Sequence, residues 1–122
     1  MTTLTLTKHH GLGNDFLVVH DPDVADLAAL ARRLCDRRRG LGADGLLVAT
    51  AADGFAARMV LHNADGSRAE MSGNGIRCFA QALAARLGHL EPQRMLTDAG
   101  ERLVTLMGTD RADVILAAVD MG

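Results

Sequence analysis

A turn, a short extended piece and a glycine-rich helix entrance follow one another within residues 63–78. Asn63, Asp65 and Gly66 have the composition of a tight turn, because asparagine and aspartate bond the local backbone and glycine adopts positive φ. After the Ser-Gly-Asn-Gly segment that begins at Ser72, apolar residues recur at spacings of three and four, which predicts a helix. Ser72 then lies at the N-cap of this helix. The chain therefore reverses and enters a helix within this one run.

The predicted helix entrance is suited to binding an anion. The first backbone N–H groups of a helix have no internal partners and lie at the positive end of the macrodipole, so a carboxylate or phosphate is attracted there. Gly73 and Gly75 carry no side chains that would block such a ligand. Taken alone, the segment is also typical of an ordinary capped helix whose glycines only shape a loop. The rest of the chain has to decide between the two interpretations.

The pattern along the chain predicts an α+β fold. A first helix is predicted to open at Asp21, as the cap, with Pro22 in its first turn, and to end by Gly40. The second helix, after Ser72, has alanine on almost every side, which favours a helix enclosed by a sheet. Seven strands are predicted at residues 2–7, 16–19, 46–50, 55–62, 94–97, 102–107 and 114–119.

Three segments, in the expected order, resemble the motifs of the diaminopimelate epimerase family. They are residues 8–19 (KHHGLGNDFLVV), residues 39–48 (RGLGADGLLV) and residues 63–78. Three ordered motifs are far more specific than any one of them. The resemblance implies that residues 1–122 form a single domain, the amino-terminal half of a two-domain epimerase whose carboxy-terminal domain is absent. It also implies an antiparallel-rich sheet wrapped around a central helix.

The resemblance further implies a chemistry and a set of site residues. The family exchanges the α-proton of an amino acid without a cofactor, converting LL-diaminopimelate into the meso form in bacterial lysine and peptidoglycan precursor biosynthesis. Ser72 then stands at a catalytic position, the backbone at Gly73 and Asn74 holds the α-carboxylate, and Asn14 and Asn63 bind polar groups of the substrate. No cofactor and no metal is implied. From the residues alone, Asn14 is equally a loop residue and Asn63 equally a turn residue.

Ser72 departs from the family pattern, which usually has a catalytic cysteine at this position. A thiol has a pKa near 8.5 that falls further at a helix N-terminus, whereas a hydroxyl needs a neighbouring base. His9, His10 and His62 are the candidate bases by chain proximity. Three explanations of Ser72 remain. The serine is natural in a lineage with an altered mechanism, it is an engineered replacement of cysteine, or the protein binds an amino acid without epimerising it. The alternatives are a half of a related amino-acid racemase or isomerase and a non-catalytic amino-acid-binding module.

The two cysteines and the one basic run have structural interpretations. Cys35 and Cys78 lack the spacing of a metal site, and both are predicted to be small packing residues in a compartment where disulfides are rare. The run at residues 37–39, three arginines, is predicted to be a solvated face at the end of the first helix, where cations complement the dipole.

Charge and hydropathy exclude several classes of partner. The formal net charge of −2 gives no electrostatic support for nucleic-acid binding, and no run of eighteen apolar residues is present to span a membrane. We expect a cytoplasmic protein whose partners are the diaminopimelate substrate and the missing carboxy-terminal domain. If that domain normally covers the cleft, the isolated chain should expose apolar surface and form homodimers or aggregates.

Overall fold

The computed structural model describes residues 4–120, so the first two residues of the strand predicted at 2–7 lie outside the described part. The strands are β1 (Leu6–Gly11), β2 (Asn14–His20), β3 (Gly45–Thr50), β4 (Ala57–Asn63), β5 (Arg68–Ala69), β6 (Gln93–Thr97), β7 (Gly100–Gly108) and β8 (Ile115–Asp120), and the helices are α1 (Leu27–Cys35) and α2 (Gly73–Leu87).

All eight strands belong to one sheet, in the order β1-β2-β3-β4-β6-β7-β8, with β5 paired to β4. Neighbouring strands are antiparallel except for β2 with β3 and β4 with β6. The sheet curls around α2, which contacts strands from both of its ends. The prediction of an α+β fold with an antiparallel-rich sheet around a central helix is confirmed.

Helix α2 is enclosed because its apolar residues face the sheet in several directions. Ile76, Phe79 and Ala80 have no exposed surface, and Ala82, Leu83 and Ala84 are buried as well. Small alanine side chains let the strands approach the helix closely. Ala85 is the exception to the predicted enclosure, since it is exposed in the groove between the sheet edges β1 and β8.

The central strands β2 and β3 are buried on both faces. Phe16 and Val18 pack with α2 on the inner face, whereas Leu17 and Val19 pack with α1 on the outer face. This alternation follows from the period of two residues in a strand. A strand with helices on both sides has no polar face, which explains the continuous apolar sequences of β2 and β3.

The predicted start of the first helix is wrong. Helix α1 begins at Leu27, and its N-cap is Asp26, whose carboxylate accepts a hydrogen bond from Ala29 N at 3.0 Å. Asp21 instead has φ of +46° and donates its N–H to Ala49 O at 2.8 Å. Asp21 is therefore tied to the end of β3 and is not available as a helix cap.

The predicted turn after β4 is confirmed and packs against α1. Gly66 has φ of +90° and donates its N–H to Asn63 O at 2.9 Å. A Cβ at Gly66 would lie 2.8 Å from Ala28 O and 2.6 Å from Nη1 of Arg32, so only glycine fits between the turn and the helix. Helix α1 therefore helps to fix the position of this turn.

The β1–β2 hairpin turn stores backbone strain at Leu12. The two loop residues, Leu12 and Gly13, have φ of +52° and +89°, the combination of a type I′ turn. A positive φ costs free energy for a residue with a Cβ. Burial of the side chain does not offset this cost at Leu12, because Leu12 is 86% exposed.

We expect Leu12→Asn to stabilise the chain by about 1 kcal/mol, because asparagine tolerates positive φ and Asn-Gly is the preferred type I′ sequence. Urea unfolding at neutral pH measures the change. Leu41→Asn is the matched control, since it removes another exposed leucine at a residue without positive φ and should give no gain. An equal gain in both variants would mean that the effect comes from lost surface hydrophobicity and not from relieved strain.

Candidate active site

The entrance of α2 leaves two backbone donors free. Ser72 is the N-cap in extended backbone conformation, and its Oγ accepts a hydrogen bond from Gly75 N at 2.9 Å. Its carbonyl accepts a hydrogen bond from Ile76 N, also at 2.9 Å. The N–H groups of Gly73 and Asn74 have no hydrogen-bond partner among residues 4–120. The predicted cap is confirmed, and the two free donors are those of the residues predicted to hold a carboxylate.

Two asparagines join the helix entrance to the β1–β2 hairpin. Asn74 Nδ2 donates to Asn14 Oδ1 at 2.8 Å in a half-buried contact between residues 60 positions apart. Asn14 Nδ2 in turn donates to Asp44 Oδ2 at 3.3 Å. Of the predicted site residues, Asn14 and Asn74 are therefore brought directly together.

Asp44 connects three segments and is not among the site residues that the sequence analysis predicted. Its backbone N–H donates to Asp15 O at 2.9 Å, and its Oδ2 accepts from Asp15 N at 2.9 Å. Its carbonyl accepts from Ala64 N at 3.1 Å, next to Asn63. The only sequence signal was its position in the second of the three motifs.

Asn63 lies at the end of β4, where its side chain serves the local turn. Asn63 Nδ2 donates to Ser67 Oγ at 3.1 Å, and Asn63 N donates to Ser67 O at 2.7 Å. The side chain is exposed. No hydrogen bond joins it to Asn14 or Asn74, so its predicted role in substrate binding stays a prediction.

An ion-pair network lies beside this junction. Arg37 donates two hydrogen bonds to Asp15, at 2.8 and 3.2 Å, and one to Asp44 Oδ1 at 3.3 Å, and Lys8 Nζ lies 3.5 Å from Asp15 Oδ2. The hydrogen bonds from Arg37 hold the pKa of Asp15 far below its usual range, and Asp15 in turn raises the pKa of Arg37. The prediction that residues 37–39 form a solvated face is therefore incomplete, because Arg37 is exposed but also forms ion pairs with Asp15 and Asp44.

Among residues 4–120, the hydroxyl of Ser72 makes no hydrogen bond to a basic side chain. His9 is engaged through Nδ1 with Gln81 Oε1 at 2.8 Å and through Nε2 with Thr7 Oγ1 at 2.9 Å. The buried His62 has its Nδ1 3.2 Å from Gly66 O. No hydrogen bond joins Ser72 to His9, His10 or His62 in the described part of the chain. Activation of the hydroxyl by one of these histidines therefore finds no support in the geometry.

Both cysteines are buried packing residues, as predicted. Cys78 belongs to the core around α2, and burial, with a smaller effect of Asp15, raises the pKa of its thiol to about 11. Cys35 packs on the α1 side, and burial raises the pKa of its thiol as well. Both thiols are free. Neither has the lowered pKa of a reactive thiol.

Two further features bear on possible ligands. Within residues 4–120, no three histidine, cysteine, aspartate or glutamate side chains are grouped in a way that could hold a metal ion. In the same range neither α1 nor α2 has the length and apolar character that a membrane-crossing helix needs.

The chain matches proteins of one named family. The model of the diaminopimelate epimerase family matches residues 6–122. A diaminopimelate epimerase of Desulforudis audaxviator is 43% identical over 130 residues, which cover 98% of this chain and 44% of the relative. One of Caldanaerobacter subterraneus is 46% identical over 95 residues, which cover 78% of this chain and 34% of the relative. The chain thus spans between a third and a half of the length of these relatives.

A solved structure supports the fold independently. The chain resembles a Bacillus anthracis phenazine biosynthesis protein of the PhzF family with a TM-score of 0.70 and 15% sequence identity. The likeness covers 90% of this chain and 38% of that protein. At this identity the likeness concerns the fold alone.

We expect Arg37→Gln to raise the pKa of Asp15 and to destabilise the chain at neutral pH. A pKa that is lower in the folded than in the unfolded state contributes stability above the unfolded value of about 3.9 and loses it as the pH falls below that value. The variant should therefore be less stable than the parent at neutral pH, and the difference should shrink as the pH falls below about 4. Carboxyl NMR titration and urea unfolding between pH 2 and 7 measure the two effects.

The control for this prediction is Arg39→Gln, which removes an exposed arginine of the same loop that has no ion pair in the described part of the chain. It should leave the Asp15 titration unchanged. Equal shifts of the Asp15 pKa in both variants would mean that this pKa depends on the total positive charge of the loop and not on the hydrogen bonds from Arg37.

We expect the thiol introduced by Ser72→Cys to have a pKa below the usual value of about 8.5, because it would lie at a helix N-terminus. The rate of iodoacetamide alkylation at position 72, followed by mass spectrometry as a function of pH, measures this. Cys35 and Cys78 are internal controls that should react slowly because they are buried. Alkylation at position 72 that rises only above pH 8.5 would contradict the prediction.

Proposed function

The chain belongs to the diaminopimelate epimerase family, and on this premise we propose that it supplies one half of the active site of a cofactor-independent epimerase. The reaction is the conversion of LL-diaminopimelate into meso-diaminopimelate in lysine and peptidoglycan precursor biosynthesis. Removing and returning the α-proton needs one group on each face of the substrate. This chain contributes the face at the entrance of α2, and the part of the family's length beyond it contributes the other.

The observation that carries the proposal is the pair of unpaired N–H groups at Gly73 and Asn74. They lie at the start of a fifteen-residue helix, where the macrodipole favours negative charge. A substrate α-carboxylate bound there would be held beside Ser72. Fixed donors of this kind stabilise the charge that develops when an α-proton is removed, without having to reorganise.

The remaining site residues have supporting roles in the proposal. Asn14, which is bonded to Asn74, lies within reach of the same ligand and would bind one of its polar groups. Asn63 would bind another if its side chain turned away from Ser67. The exposed leucines Leu12 and Leu41 lie in the loops that carry Asn14 and Asp44, and we propose that a second domain covers them.

Ser72 is the critical residue for catalysis. A serine hydroxyl is far less acidic than a thiol and needs a base, and no described side chain supplies one. We therefore expect the chain with serine at position 72 to be slow or inactive in proton transfer while the surrounding site is intact. This expectation favours the binding module as the second candidate function, because a capped helix entrance can bind an amino acid without moving a proton.

The test is proton exchange in a chimera that joins residues 1–122 to the remaining part of the Desulforudis audaxviator relative. In D₂O with LL-diaminopimelate, Ser72→Cys should exchange and epimerise the α-carbon about 10²- to 10⁴-fold faster than the serine parent, as expected for a positioned acid or base. Deuterium at the α-carbons, followed by NMR, measures the rate.

Two controls separate the possible outcomes. Cys78→Ser in the Ser72→Cys chimera should keep the activity, since Cys78 is buried and its pKa is raised. A folded Ser72→Cys chimera without exchange would overturn the epimerase proposal. Calorimetry on the isolated chain addresses the second candidate: tight binding of diaminopimelate would support a binding module, and no binding would reject it.

A further inference from the structure

Asp44, Asn14 and Asn74 form a chain of hydrogen bonds that can run in only one direction. An ionised carboxylate only accepts hydrogen bonds, so Asn14 has to turn its Nδ2 toward Asp44. The other atom of the same amide, Oδ1, then faces Asn74 and has to receive a donor, which is Asn74 Nδ2 at 2.8 Å. The charge at Asp44 therefore selects the orientation of two amides in series.

We propose that Asp44 is a positioning residue of the site, whose carboxylate fixes the orientation of the Asn14 amide and, through it, that of Asn74. The consequence is that Asn74 keeps its Oδ1 as a hydrogen-bond acceptor with no partner among residues 4–120. This acceptor belongs to the same residue as one of the two free backbone donors. The value of this arrangement for catalysis rests on the proposed function, whereas the orientation itself does not.

Asp44 is well held for this role. The same Oδ2 that accepts from Asn14 also accepts from Asp15 N at 2.9 Å, while the other oxygen, Oδ1, accepts from Arg37 at 3.3 Å. The backbone of Asp44 is fixed by Asp15 O on one side and Ala64 N on the other. The carboxylate cannot rotate away from Asn14 without breaking several of these bonds.

The test is a double-mutant cycle with Asp44→Asn and Asn74→Asp, measured by urea unfolding of the chain. Asn74→Asp places a carboxylate against Asn14 Oδ1, and Asn14 cannot flip while Asp44 needs its Nδ2. In the Asp44→Asn background Asn14 can flip, because the new amide can donate to Asn14 Oδ1 while Asn14 Nδ2 donates to the new carboxylate. The amide nitrogen then gives up the hydrogen bond from Asp15 N, in exchange for relief of the repulsion at Asn14 Oδ1. The chain of hydrogen bonds then runs in reverse.

We expect Asn74→Asp to raise the unfolding equilibrium constant about tenfold more in the parent than in the Asp44→Asn background, which corresponds to a coupling of ~1.4 kcal/mol. The effect of the helix dipole on a carboxylate at position 74 is present in both backgrounds and cancels in the cycle. A coupling below about twofold would overturn the proposal.

Asn14→Ala is the control that removes the middle of the chain of hydrogen bonds. Direct repulsion between carboxylates at positions 44 and 74 acts through space and would survive this substitution. Coupling through the Asn14 amide would not. The proposal requires the coupling to fall to near zero in the Asn14→Ala background, and a coupling that persists there would overturn it.

A spectroscopic measurement keeps the proposal testable if a variant fails to fold. In the unmodified chain, the Nδ2 protons of the half-buried Asn14 and Asn74 should exchange with solvent more slowly than those of Asn63, whose amide is also bonded but exposed. Asp44→Asn should shift the side-chain amide signals of both Asn14 and Asn74, and Asp53→Asn, in an exposed turn, should shift neither. Side-chain amide signals of Asn74 that do not shift in the Asp44→Asn variant would reject the proposal. These measurements need no substrate, so their outcome does not depend on whether the protein catalyses epimerisation.

Discussion

Enclosure of α2 by the curled sheet is the constraint on which the rest of the structure depends. Ile76, Phe79 and Ala80 lose all contact with solvent inside the sheet, and burial of a large side chain such as phenylalanine contributes roughly 1.5–3 kcal/mol. Gln93, itself buried in β6, also donates its Nε2 to Ala80 O at 3.1 Å, so the sheet bonds the helix backbone as well as packing on it.

The same enclosure determines where a ligand can bind. The body of α2 is covered by the sheet. At its N-terminus, however, the N–H groups of Gly73 and Asn74 have no intrahelical partner and are free to bind a ligand. Three segments meet near this helix end, namely the β1–β2 hairpin, the loop before β3 and the turn after β4. Asp44 lies in the loop and bonds directly to the hairpin and to the turn. The site is therefore built on strand ends and a helix end whose positions the core has already fixed.

The sequence predicted what is local and missed what is distant. Ser72 as a cap and Gly66 in a turn were predictable because each depends on neighbours within a few residues. The start of α1 was mispredicted because Asp21 and Asp26 both suit a cap, and the choice is made by the hydrogen bond from Asp21 to Ala49, on a strand far along the chain. The contact between Asn14 and Asn74 spans 60 residues, so no spacing pattern contains it. Only the resemblance to a family placed these two residues in one site.

Ser72 shows how one side chain can serve either the fold or the reaction. As serine it is among the preferred N-cap residues, and its Oγ satisfies the N–H of Gly75 at 2.9 Å. A cysteine at this position would be a poorer cap but a better base, because the positive end of the helix dipole would stabilise a thiolate. A Cβ at Gly75 would lie 3.1 Å from Ser72 Oγ, so glycine at position 75 leaves the space beside this side chain that a larger sulfur would need.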